Sequence, residues 1–111
     1  MREMKRVHHA ILDKMSEIVA ACRKHQAARL EVFGSAAHGG DFNPETSDAD
    51  FLVTFLPPFF PGYSDRYLGL ADDLESILGR KVDLVTENTR PDRNPFFWES
   101  VNDSRELVYE A

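Results

Sequence analysis

The alternating run Arg29-Leu30-Glu31-Val32-Phe33 stops at Gly34-Ser35, and after twelve further residues Asp48-Ala49-Asp50 opens a second strand-like run ending near Phe55. Period-two alternation marks both runs as strands and sorts their faces. Asp48 and Asp50 project together, while Phe51, Val53 and Phe55 project oppositely, into a core. Gly34 lets a ligand approach the backbone closely, and the Ser35 hydroxyl with neighbouring amides suits phosphate oxygens. The paired carboxylates suit hard cations such as Mg²⁺, which take oxygen ligands and bridge to phosphates.

Met4, Val7, Ile11, Met15, Ile18 and Cys22 recur every three or four positions, which predicts one amphipathic helix over residues 3–26. Strands are expected over residues 29–33, 48–55, 81–86 and 106–109. A short helix is expected to start at Ser35, and residues 39–47 carry the Gly, Asn and Pro chemistry of a loop. The prolines at 57, 58 and 61 exclude regular structure there and leave Phe59, Phe60 and Tyr63 in an apolar loop, facing either the core or a partner. Ser64 is the expected N-cap of a helix ending at Gly79, with Tyr67, Leu70, Leu74 and Ile77 inward. Residues 94–101 read as a short helix carrying Phe96, Phe97 and Trp98. The fold class is α/β (α+β): one domain over residues 1–111, with a small mixed β-sheet, helices packed on one face and carboxylates on the other.

Thirteen basic against nineteen acidic residues give a net charge of −6, which argues against an extended nucleic-acid surface. No apolar run spans a membrane. With a single cysteine, Cys22, no disulfide forms within the chain, and the charged N-terminal segment lacks a secretory pattern. Both favour a reducing cytoplasm as the expected compartment. Cys22 continues the apolar stripe of the first helix and reads as core. His8, His9 and His25 lack metal-ligand spacing and read as solvated, as do Asp72, Asp73 and Glu75; no zinc site is expected.

Asp83 sits between the apolar Val82 and Leu84, so it too faces away from a core. If its strand adjoins that of Asp48 and Asp50, three carboxylates converge. Their mutual repulsion makes the cluster sensible chiefly with metal bound. Two ions about 3.5–4 Å apart polarise the attacking and leaving oxygens of an in-line displacement at phosphorus.

Gly34-Ser35, the loop to Ser47-Asp48-Ala49-Asp50-Phe51-Leu52-Val53, Val82-Asp83-Leu84-Val85, and the tail from Arg93-Asn94-Pro95-Phe96-Phe97 to Leu107-Val108-Tyr109-Glu110-Ala111 together resemble the minimal nucleotidyltransferase antitoxins of the polymerase-β-like superfamily. The resemblance implies an ATP-dependent enzyme with two Mg²⁺ ions that transfers AMP to a tyrosine hydroxyl of a HEPN-type toxin encoded beside it. It implies Asp48 and Asp50 as ligands to both metals. Asp83 becomes a ligand to the catalytic metal and acceptor of the nucleophile's proton, and Gly34 and Ser35 the nucleotide-phosphate contacts. The chain departs from the pattern at His38, where the family carries arginine. A neutral imidazole lacks the guanidinium's permanent charge, so weaker triphosphate binding is expected.

An isolated Asp-x-Asp is commonly a solvated strand end, and a lone Gly-Ser a turn and cap. Their joint spacing with Asp83 favours chemistry. Two other classes stay open: a non-catalytic antitoxin that neutralises its partner by binding it, and a small-molecule transferase of the aminoglycoside-modifying kind. The apolar loop and acidic surface point to a hetero- or homo-oligomer.

Overall fold

In the computed structural model, residues 9–34, 49–58, 61–86, 99, 102 and 105–111 are described. Along the chain these form α1 (His9–Leu12), α2 (Met15–Lys24), β1 (Ala27–Phe33), β2 (Ala49–Phe55), α3 (Tyr63–Leu78), β3 (Val82–Thr86) and β4 (Glu106–Glu110). The strands make one mixed sheet in the order β3-β2-β1-β4. β1 is antiparallel to β2 and β4, whereas β2 and β3 run parallel. A parallel pair needs a crossover rather than a hairpin, and α3 supplies it.

Alternation divides the sheet as the sequence predicts. Leu30 and Val32 of β1, Phe51, Val53 and Phe55 of β2, and Val82 and Leu84 of β3 share one core with Ile18 and Cys22 of α2 and with Leu70 and Leu74 of α3. The intervening positions look the other way, and there Phe33 and Leu52 are buried with Val85 against them. The face opposite the helices, expected to be open, therefore carries a small apolar floor.

The predicted first helix is interrupted. Lys14 N–H donates to the Ile11 carbonyl at 3.1 Å, a three-residue spacing that tightens the chain at Asp13 and Lys14 before α2 begins. Neither glycine nor proline marks the break. The stripe survives it, because Ile11, Ile18 and Cys22 are all fully buried. Met4 and Val7 lie outside the described residues. Ser64 is not the cap of α3: the helix starts two residues earlier than that cap implies, after Gly62 in the left-handed region at φ 99°, and so takes in Tyr63, whose ring meets Phe55 edge-on at 5.3 Å. It ends at Gly79, also left-handed, as expected. Arg66 holds the preceding segment by donating to the carbonyls of Leu56 at 2.9 Å and Pro58 at 2.7 Å. Phe59, Phe60 and residues 94–98 lie outside the described residues.

Burial raises the Cys22 thiol to about 12, which leaves essentially no thiolate near neutrality. Native protein at pH 8 should resist alkylation by iodoacetamide, and denatured protein should react readily. Fast labelling of the native form would contradict the core placement.

His25, expected on the surface, is only 14% exposed at its side chain, and its Nε2 donates to Asp73 Oδ2 at 2.7 Å. The contact ties the end of α2 to α3. It also accounts for a glycine inside a helix, since a Cβ on Gly69 would lie 2.5 Å from His25 Cε1. Glu75 also departs from the expected solvated role by accepting from Val82 N–H at 3.1 Å where β3 begins.

The His25 hydrogen bond holds the Asp73 carboxyl below its usual range, aided by the nearby Lys24 charge. A depressed carboxylate contributes stability above its unfolded value of about 3.9, and that contribution fades as pH falls through the lower folded value. Asp73→Asn should therefore lower stability by about 1 kcal/mol at pH 7, given partial solvent screening. Below pH 4 the denaturation curves of the two proteins should converge; a gap independent of pH would exclude the linkage.

Candidate active site

Strand pairing brings together residues far apart in sequence. Asp50 is the register partner of Phe33 on β1 and of Asp83 on β3. Adjacent strands lie about 4.8 Å apart, and alternation sends both carboxylates to the face away from the helices. Asp83 is exposed and Asp50 half-buried.

Gly34 follows Phe33 directly and has φ 70°, a backbone conformation that side chains with a Cβ rarely adopt. A Cβ built on it would stand 2.6 Å from Asp50 Oδ2. Only a glycine lets the β2 carboxylate lie against the turn that ends β1. Gly34, Asp50 and Asp83 thus form one row across three strands. Ser35 and Asp48, the other two expected site residues, lie outside the described residues, as does His38.

Two carboxylates side by side offer hard oxygen donors only, the donor set of Mg²⁺ rather than of a soft metal. Without a cation they repel each other, which gives the site a reason to bind one. Among the described residues no three His, Cys, Asp or Glu side chains gather as a metal-binding group. The third carboxylate expected for the site is Asp48.

Two neighbouring features were not legible in the sequence. Tyr67 of α3 donates its hydroxyl to the Leu84 carbonyl on β3, and its pKa is pushed upward by burial first and then by the negative charge of Asp83. The phenol thus stays protonated beside the site strand. On β1, Glu31 is 4% exposed and meets Arg29 Nε at 3.5 Å and Arg105 Nε at 3.4 Å. A buried carboxylate requires such partners. The pairing joins β1 to the residue that leads into β4.

The profile of the nucleotidyltransferase domain family matches residues 12–107. In Methanocaldococcus jannaschii, "Putative protein adenylyltransferase MJ1379" is 36% identical over 103 residues, covering 86% of this chain and 96% of the relative. A solved structure described as a "putative minimal nucleotidyltransferase" superposes with a TM-score of 0.66 at 30% identity, over 88% of this chain and 92% of that one. The chain belongs to the nucleotidyltransferase domain family, and it is a nucleotidyltransferase.

At lower identity, the fold matches a Shewanella oneidensis complex of a tri-AMPylated HEPN toxin with an MNT antitoxin (TM-score 0.57, 19% identity, 90% of this chain and 72% of that one). It also matches a toxin-antitoxin crystal structure with AMP-PNP (TM-score 0.61, 20% identity, 87% and 73%). These two likenesses speak to the fold. Among the described residues no helix is long and apolar enough to cross a membrane.

Proposed function

We propose that this nucleotidyltransferase moves AMP from ATP to a hydroxyl, a tyrosine's by preference, on a HEPN-type toxin, and so acts as the antitoxin of a toxin-antitoxin pair. The observation that carries the reading is the row of Gly34, Asp50 and Asp83 across three strands. The naming of its relatives as protein adenylyltransferases and the toxin complexes among its structural neighbours support the choice of acceptor. The AMP-PNP complex supports ATP as donor.

In this reading Gly34 and Ser35 hold the phosphates that depart as pyrophosphate, and Asp48, Asp50 and Asp83 hold two Mg²⁺ ions. Bound divalent ions neutralise phosphate charge and polarise phosphoryl oxygens. The acceptor oxygen forms a bond to the α-phosphorus, the bond from that phosphorus to the bridging oxygen breaks, pyrophosphate leaves, and the hydroxyl proton passes to the Asp83 carboxylate. The remaining task of the chain is to orient the two reactants.

A non-catalytic antitoxin is the second reading, favoured by His38 in place of the family arginine. Incubation with labelled ATP, Mg²⁺ and the HEPN-type protein encoded beside this one separates the two. Label should reach the partner with the wild type and not with Asp50→Asn. Tight complexes and neutralisation by both proteins, without label, would favour the binding module.

A further inference from the structure

A cleft of about 360 Å³ opens between α3 and the edge strand β3, lined by Tyr63, Ser64, Tyr67, Leu68, Leu84 and Thr86. None of these side chains carries a formal charge at neutral pH. Leu68, one of the lining residues, is 59% exposed. The cleft is too small for a helix and about right for one or two side chains.

Its position relative to the site row decides what it holds. Across the sheet the order is Gly34 at the end of β1, Asp50 on β2, Asp83 on β3, then the outer edge of β3. In-line displacement places the attacking oxygen opposite the leaving group. With pyrophosphate held on the Gly34 side, the acceptor hydroxyl must arrive from the β3 side. The cleft is lined from that strand, by Leu84 next to Asp83 in sequence, but on the helix face of β3. Leu84 and Thr86 face the helices while Asp83 faces away, so a polypeptide that engages both the cleft and the carboxylates passes round β3, where Tyr67 bonds the Leu84 carbonyl.

We propose that this cleft is the acceptor subsite of the proposed adenylyl transfer: it takes an uncharged apolar or aromatic side chain of the acceptor protein, close in sequence to the residue that receives AMP. The inference rests on the proposed function, and it adds a recognition surface separate from the nucleotide contacts. The described lining residues offer no cation to a triphosphate, and fixing a flanking side chain there orients the hydroxyl without contact from the carboxylates.

The test uses the full chain with Leu68→Arg, which places a charge at an exposed position and leaves the core intact. Ser64→Trp, which fills the mouth, serves as a second variant. Transfer of label from ATP to the HEPN-type partner is measured against concentration of each substrate, and partner binding is measured separately by calorimetry. Both variants should raise the KM for the partner about ten-fold or more and weaken its binding, with the KM for ATP within about two-fold of wild type. Unchanged partner kinetics and binding in both variants would overturn the proposal. A raised KM for ATP with unchanged partner binding would also overturn it, by making the cleft a nucleobase site. If the wild type itself neither labels nor binds the partner, the functional reading has failed and the subsite falls with it; that outcome is visible before any variant is made.

Discussion

Gly34→Ala is expected to lower nucleotidyl transfer about 100-fold or more, the scale of loss that follows from a displacement near 1 Å at a reacting centre. Two costs coincide at this position. At φ 70° a side chain with a Cβ is strained by roughly 1–2 kcal/mol. The added carbon would also sit 2.6 Å from Asp50 Oδ2, a distance at which something must shift. Asp50 must turn away from the row, or the end of β1 must shift and carry the phosphate contacts with it. A folded variant, verified by circular dichroism and a melting temperature well above the assay temperature, with near wild-type turnover would show that the close approach of turn and carboxylate does not matter to the chemistry.

The second large effect is expected of Asp83→Asn, and it combines opposite signs. Activity should fall about 100-fold or more, because an amide is a poorer ligand for a hard cation and a poor proton acceptor. Stability without metal should hold or rise, since removing one of two neighbouring carboxylates relieves their repulsion. Thermal melts give a clear reading. Mg²⁺ with a non-hydrolysable ATP analogue should raise the wild-type melting temperature and leave the variant nearly unmoved, because only a ligand that binds the native state shifts it. A variant both less stable and fully active would place Asp83 among the structural residues.

Much of this arrangement was readable from local pattern. Alternation in residues 29–33 and 49–55 set the strand faces, and the isolated Asp83 between two apolar residues marked its side of β3. The pairing of Asp50 with Asp83 needed one further assumption, that β2 and β3 are neighbours, which the crossover helix α3 makes natural. What escaped the sequence depended on contacts between distant elements. His25 carries no local sign that Asp73 and the bare Cα of Gly69 await it across the helix pair. The turn at Asp13 and Lys14 uses no breaker residue and preserves the apolar stripe, so periodicity alone runs straight through it. Gly62 took the place of Ser64 because a left-handed glycine could start α3 early enough to lay Tyr63 on Phe55. The cleft beside β3 is likewise a product of how a helix seats on an edge strand, and no short motif encodes it.

The arrangement of carboxylates is best probed by titrating the protein with Mn²⁺, a stand-in for Mg²⁺, in the presence of a non-hydrolysable ATP analogue, with bound metal counted by electron paramagnetic resonance. About two ions per protein are expected for the wild type, with affinity reduced about ten-fold or more by either Asp50→Asn or Asp83→Asn. Identical isotherms for all three proteins would mean that the aspartates paired across β2 and β3 do not hold the metal, and the proposed chemistry would lose its foundation.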